Sequence, residues 1–356
     1  MMEIALVMAR RGLGATAPNP SVGAVVADEG TGEILARAVT ADGGRPHAET
    51  RALAIAGPRA RGKTMYVTLE PCAHHGRTPP CADALIAAGL ARVVVGTGDP
   101  DPRTAGQGVA RLRAAGVAVD ASELEPEAHW VTLGHILRVT ESRPFVQVKI
   151  ATDADGNVPR GRSGHPVWVT SAEARAFGHL LRAEADAILV GAGTVRDDDP
   201  ELTCRLPGLV NHSPVRVVLT GTSPLPTEAK LYAASGPPVW AIGTNGRIGI
   251  IGGAGARPAG QPPVSGRPSL RVVLASLARE GMTRLLVEGG PRIWRAFADA
   301  GYVDEVVLFM AGHATCDAAD DRAHRTLERL LGPVSLRVAM QRTIGSDTLW
   351  RLRADR

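Results

Sequence analysis

At 356 residues, with 40 basic and 36 acidic side chains and a net charge of +4, the chain is long enough for two separate cores, because single cores seldom grow past about 250 to 300 residues. No apolar run reaches the roughly 18 residues of a membrane span, and the N-terminal stretch MMEIALVMARRG lacks the apolar length and cleavage site of a signal peptide, so a soluble cytoplasmic protein without a membrane partner is expected. Basic residues are interspersed among acidic ones and aromatics make up only 3% of the chain, which argues against a nucleic-acid partner.

After an apolar stretch to about Arg11, a strand is expected at Val22–Ala27 and a helix opens near His47 in HAETRALAIAG. Strand MYVTLEP, helix CADALIAAG, strand ARVVVGTG and helix VARLRAAG follow. This β–α alternation predicts a layered α/β domain. A further helix, EPEAHWVTLGHILRVTE, leads to Arg143 and Pro144, where a helix-ending residue precedes strand FVQVKIA. The boundary is placed there, giving domains at 1–142 and 143–356. The second alternates again: VWVT, a helix from Ser171 to about Glu184, DAILVG, VRVVLTG, PPVWAIG, a helix near Val272–Glu280, RLLVEGG, a helix from Pro291, and DEVVLFM. The Gly- and Pro-rich stretch from Gly243 to Pro268 carries little periodicity and reads as a long mobile loop. A formal phosphate-loop match from Gly57 to Thr64 follows a helix and precedes a strand. That is the reverse of the true motif's setting, so a plain loop is expected.

Chemistry concentrates in two places of the first domain. Two of the four cysteines fall in PCAHHGRTPPC, from Pro71 to Cys81, and HAE stands at 47–49. One imidazole and two thiolates suit Zn²⁺, which takes about three protein ligands in catalytic sites and leaves the fourth position to water. A reducing compartment favours metal ligation over a disulfide. We therefore assign His47, Cys72 and Cys81 to zinc and Glu49, two residues after the histidine, to acid/base work, as in zinc deaminases. The bland alternative is a satisfied core histidine with small buried thiols. A purely structural zinc site is a second alternative and needs a fourth protein ligand, for which His74 and His75 are the candidates. Cys204 and Cys316 look unrelated. Only Lys63, Lys149 and Lys230 are lysines; Lys149, inside a strand, is weighed as chemical, with surface charge as its plain reading.

The eight residues between Cys72 and Cys81, with the HGRTPPC tail, resemble the deaminase half of the bifunctional riboflavin-biosynthesis deaminase/reductase family. Asn19, Pro20, Val22 and Gly23 repeat its NPxVG run, and Asp99-Pro100 stands where the family has DPNP. Leu180–Arg205 and VEGGP at 287–291 resemble its reductase half, so nearly the whole chain is covered. The resemblance implies a cytidine-deaminase-like α/β/α domain followed by a dihydrofolate-reductase-like α/β domain that binds NADPH. It further implies substrate contacts at Asn19, His74, Arg77, Asp99 and Asp101 in the first half, and at Lys149, Arg182, Leu202, Arg205 and Glu288 in the second. Cofactor positions are Ala151, Trp168, Thr194 and Asp198, joined by the glycine junctions Gly191 and Gly193, and Gly289 and Gly290, whose free N–H groups at helix starts suit phosphate. Lys149 with Glu288 would supply the proton that accompanies hydride transfer. Plain turn chemistry is the competing reading for Asn19, Asp99, Asp101 and the glycines, and surface charge for the rest.

Several positions depart from the family pattern. Asp101 stands for an asparagine and, ionised, accepts but cannot donate hydrogen bonds. SLDG reads Asp153-Ala154-Asp155-Gly156, a polar residue is Pro166, and APxLLGG is replaced by residues around Ala311–Asp321. The expected function is deamination of a pyrimidinone ribosyl phosphate followed by NADPH-dependent reduction of its ribosyl chain, in a homo-oligomer, dimer or tetramer. The alternative is a paralogous pyrimidine deaminase of a related pathway with an altered or silent second domain. A nucleic-acid-editing or RNA-binding protein on the same zinc core is a third reading, opposed by the scattered charge and few aromatics.

Overall fold

The central strands in the first part of the chain are buried on both faces, and helices cover both. In the computed structural model this part comprises α1 (Met2–Arg11), β1 (Gly23–Asp28), β2 (Glu33–Val39), α2 (Ala48–Ala56), β3 (Thr64–Leu69), α3 (Cys81–Ala87), β4 (Arg92–Thr97), α4 (Gln107–Ala114), β5 (Ala118–Ala121) and α5 (Glu125–Thr140). The sheet order is β2-β1-β3-β4-β5; β1 is antiparallel to both neighbours, and β3, β4 and β5 are parallel. Successive side chains of a strand point to opposite faces. Ala24 and Val26 accordingly join a core with Ala52 and Ala56 of α2 and Leu85 of α3. Val25 and Ala27 join another with Ala5, Leu6 and Ala9 of α1 and Ala128 and Val131 of α5. The result is a three-layer α/β/α unit.

The second part comprises β6 (Phe145–Thr152), α6 (Ala172–Ala183), β7 (Ala187–Gly191), α7 (Ala192–Asp198), β8 (Val215–Leu219), β9 (Val239–Ile242), β10 (Ile248–Gly252), α8 (Leu270–Arg279), β11 (Arg284–Val287), α9 (Pro291–Asp299), β12 (Glu305–Ala311), α10 (Ala319–Leu331), β13 (Arg337–Ile344) and β14 (Asp347–Arg353). Its sheet runs β10-β9-β8-β7-β11-β6-β12-β14-β13. From β9 to β12 the strands are parallel, and the hairpin partners at both edges are antiparallel. The chain divides into two compact units, Met1–Pro144 with Glu280–Thr283, and Phe145–Arg279 with Arg284–Arg356. The structure describes every residue except 77, 160–167, 221–224, 227, 234–235, 243, 253–267, 313–318 and 356.

Two expectations need correction. The described residues of VWVT, Trp168 to Thr170, form no strand. The stretch from Gly243 onward contains a strand, β10, which pairs with β9. Asn245 and Gly246 make the connecting turn: the Asn245 side chain accepts the Arg247 N–H at 3.1 Å and Gly246 has φ 76°, a hairpin signal that the surrounding glycines obscured. The phosphate-loop look-alike is, as expected, a connection, with a short 3₁₀ turn at Gly57–Ala60 between α2 and β3. Among the described residues no helix is long and apolar enough to cross a membrane.

Candidate active sites

In the first unit, one loop and two helix starts bring the sulfur and nitrogen donors together. His47 is the extended residue preceding α2, Glu49 lies in that helix's first turn, and Cys81 opens α3. Pro80 sits just outside α3 as its cap rather than in the first turn. The His47 Nδ1 lies 3.2 Å from the Cys81 Sγ and 3.8 Å from the Cys72 Sγ. The Cys81 N–H donates to the Cys72 Sγ at 3.3 Å, and the three donor atoms all lie within 4.8 Å of one another. Neither His74 nor His75 belongs to this group. A structural site with four protein ligands therefore has no support among the described residues.

The electrostatics suit a cation. A hydrogen bond from Cys81, opposed by burial and helped by His47, draws the Cys72 thiol down to about 4. The same hydrogen bond, with burial, pushes Cys81 up, so the pair shares a proton and presents one thiolate. The hydrogen bond to Cys72 raises His47. Glu49, only 4% exposed, is raised by burial despite the nearby imidazole. Two sulfurs, one of them already acidic, and one imidazole match the donor preference of zinc, and a protonatable carboxyl beside them is left free for chemistry.

Around this centre, the Asn19 amide donates to the Gly44 carbonyl at 2.8 Å and lies 3.3 Å from the His47 Nε2. His74 faces Thr104, its Nδ1 lying 3.2 Å from the hydroxyl. Asp99 accepts the Asp101 N–H at 2.9 Å. Asp101 is engaged by the guanidinium of Arg103, which holds its carboxyl at about 2. The position where the family donates and accepts is thus a permanent acceptor here. Arg77 lies outside the described residues.

The second site forms at the C-terminal ends of parallel strands, where open α/β sheets bind ligands. Register places Glu288, directly after β11, beside Lys149 on β6. Arg182, from α6, grips Glu288 through Nε and Nη2 at 2.9 Å each, and its Nη1 donates to the Thr203 carbonyl at 3.0 Å. Burial would raise Glu288, but the charge and hydrogen bonds of Arg182, with Lys149 adding, bring it to about 2. Burial lowers Lys149, and Glu288 only partly offsets this; its Nζ stands 5.8 Å from the Phe309 ring centroid. Of the two groups expected to share proton donation, Glu288 is held ionised, and Lys149 is the one that burial makes more acidic.

Leu202 is buried with φ 58°, so what it can offer a ligand is its main chain. Arg205 is turned to Glu201 at 2.9 Å. The two glycine junctions meet: Gly191 ends β7, Gly289 follows β11, and a Cβ at either would stand about 3 Å from the side chain of Ile293 on α9 (3.2 and 2.9 Å). Gly193 and Thr194 lie in α7, which Asp198 ends, and Gly290 precedes α9. Asp198 is raised by burial and by Asp197. Ala151 is half-buried on β6. Trp168 is exposed, with the Arg175 guanidinium 5.3 Å from its ring centroid.

Comparison with known proteins agrees with the two-unit architecture. Residues 1–97 match the cytidine and deoxycytidylate deaminase zinc-binding region, and residues 144–347 match the RibD C-terminal domain. The riboflavin biosynthesis protein RibD of Aquifex aeolicus is 40% identical over 87% of this chain and 85% of its own length. The chain belongs to the RibD family. RibD of Escherichia coli is 37% identical over 87% of this chain and 86% of its own. Acinetobacter baumannii RibD superposes with a TM-score of 0.79 at 31% identity, covering 100% of this chain and 98% of that one. A Thermotoga maritima deaminase/reductase gives 0.78 at 32%, covering 99% and 97%. The first unit is the deaminase-like α/β/α domain and the second the RibD reductase domain.

Reading the sequence missed two residues that shape the surroundings of the cysteine loop. Glu70, buried just before the cysteine loop, accepts the N–H groups of Gly106 and Val109 at 3.0 and 3.1 Å and so ties the start of α4 to that loop. A carboxylate there also meets the helix dipole. A Cβ at Gly108 would stand 1.9 Å from the Pro71 carbonyl oxygen, so only glycine lets α4 approach the residue preceding Cys72. The glutamate in LEPC was a visible signal. Gly108 had none.

Proposed function

We propose that the first unit hydrolytically deaminates 2,5-diamino-6-ribosylamino-4(3H)-pyrimidinone 5′-phosphate and that the second reduces the ribosyl chain of the product with NADPH, yielding the ribityl compound in riboflavin biosynthesis. The observation that carries this reading is the buried, protonatable Glu49 beside three converging donors without being one of them. His47, Cys72 and Cys81 would hold zinc, which when bound supplies an acidified water at neutral pH. Glu49 holds a proton on a carboxyl that water cannot easily reach, and it passes that proton to the amine that departs as ammonia. Asn19, His74, Asp99 and Asp101 would contact the substrate. Asp101, ionised by Arg103, accepts only from N–H or O–H groups of the substrate.

In the second unit, NADPH would rest against the Gly191 and Gly289 junctions, with Ala151, Trp168, Thr194 and Asp198 around it; when bound it supplies hydride. Lys149 carries the proton that must accompany hydride into the sugar chain, and its lowered pKa eases release. Glu288 is a fixed negative charge that orients the ammonium, and Arg182 holds Glu288 in place.

The test is sequential. Zinc-loaded protein given the diaminopyrimidine should release ammonia, and NADPH absorbance should then fall. Ammonia release with NADPH untouched would assign the second unit to the silent-paralogue reading. Intact zinc without ammonia release would overturn the deaminase assignment.

A further inference from the structure

The loop between β4 and α4 carries Asp99 and Asp101, and something must hold Asp99 still if it is to meet a substrate. We propose that His135, on α5, is a positioning residue of the deaminase that acts through Asp99; the proposal rests on the reading of Asp99 as a substrate contact. The His135 ring is buried, and its Nε2 lies 3.1 Å from the Asp99 Oδ1, with the two side chains 8% and 10% exposed. A carboxylate accepts, so Nε2 bears the hydrogen. The ring's other nitrogen, Nδ1, has no hydrogen-bond partner among the described residues. The contact with Asp99 is thus the polar bond the ring makes.

The same Oδ1 accepts the Asp101 N–H at 2.9 Å. One oxygen of Asp99 is therefore tied from two sides, by helix α5 and by its own loop. Glu70 secures the far end of the loop through Gly106 and Val109. Without the imidazole N–H, the side chain keeps only the bond from within its own loop. A donor to a carboxylate in a buried setting is among the stronger neutral-donor hydrogen bonds, and the groups that orient a substrate contact govern how much binding is realised. His135 touches neither metal nor reacting atoms, so its loss should alter substrate binding more than turnover.

The experiment uses the zinc-loaded full-length chain and ammonia release from the diaminopyrimidine. His135→Phe keeps the ring volume and removes the donor; His135→Gln restores a donor near the Nε2 position. The expected result is a KM raised about ten-fold in His135→Phe with kcat within about two-fold, the pattern of lost uniform binding. His135→Gln should recover most of that loss, and His135→Phe should add nothing in an Asp99→Ala background. If Asp99→Ala raises KM while His135→Phe does not, the proposal fails and the reading of Asp99 stands. If Asp99→Ala leaves KM unchanged, the reading of Asp99 falls and takes the proposal with it. Failure of His135→Gln to rescue, or a His135→Phe effect that tracks zinc content and melting temperature, would reduce His135 to a packing residue and overturn the proposal.

Discussion

Glu49 and Glu288 are both carboxyls shielded from water beside nitrogen-bearing groups, one in each unit, yet their acidities are shifted in opposite directions. Glu49 has an imidazole and a thiolate for neighbours, and burial raises its pKa. Glu288 is buried as well, but a bidentate arginine and a lysine bring it to about 2. Burial alone therefore does not decide ionisation; the fixed partner does. The first glutamate is built to carry a proton and the second to hold a charge. In the proposed reductase site the proton carrier is the lysine beside that charge.

The largest effect that can break this contrast is metal removal. A chelator should bring ammonia release to background while NADPH oxidation with the deaminated substrate continues, because the donor set lies wholly in the first unit. Loss of both activities on chelation would mean that the two sites are not independent. Glu49→Gln comes next. Ammonia release should fall roughly 10²- to 10⁴-fold, the span of a lost general acid/base, with zinc stoichiometry unchanged. Equal losses of zinc and activity would make Glu49 a structural support of the metal instead.

Arg182→Met sharpens the other half of the contrast. It leaves Glu288 buried without its partner, which should destabilise the chain by about 3 to 5 kcal/mol, readable in denaturant unfolding. The folded pKa of Glu288 is lowered, so the pairing contributes stability that is complete above the ordinary value of 4.5 and disappears as pH falls through about 2. In the variant the carboxyl should titrate at or above its ordinary value. NADPH oxidation would then acquire an acid limb in the mildly acidic range that the parent lacks. A parent and variant with superimposable pH profiles would remove Glu288 from the reductase site.

The two sites also differ in how far the sequence revealed them. Chelation uses scarce residue types at short spacing, so His47, Glu49, Cys72 and Cys81 stood out in a chain with four cysteines. The β–α alternation likewise marked most of the strands of the parallel core. The second site depends on sheet register: Glu288 meets Lys149 only because β11 pairs with β6 in parallel, and no local pattern encodes that pairing. Arg182 arrives from a helix more than a hundred residues from Glu288 in sequence (|i−j| 106). His135 was hidden for a different reason. On an apolar helix face it reads as a core histidine, and its role appears only once Asp99 is opposite it. The edge strands β10 and β13 passed unnoticed because glycines interrupt the apolar pattern of the first and the second is largely exposed and polar.

The smallest expected effect tests a site that the fold refuses. Gly57 to Thr64 matches a phosphate loop in letters, but a phosphate loop needs backbone N–H groups at the start of a helix that follows a strand. Here the order is helix, 3₁₀ turn, strand. The lysine is already committed, with its Nζ 2.6 Å from the Asp28 carboxylate, and that carboxylate is lowered first by the same bond. Lys63→Ala should leave ammonia release and NADPH oxidation unchanged, and ATP should not shift the melting temperature of the parent. An ATP-dependent shift abolished by Lys63→Ala would show that residue order around a motif matters less than its letters. It would also weaken the same context argument where it supports cofactor binding at the Gly191 and Gly289 junctions, which rest on strand-to-helix order rather than on a complete glycine motif.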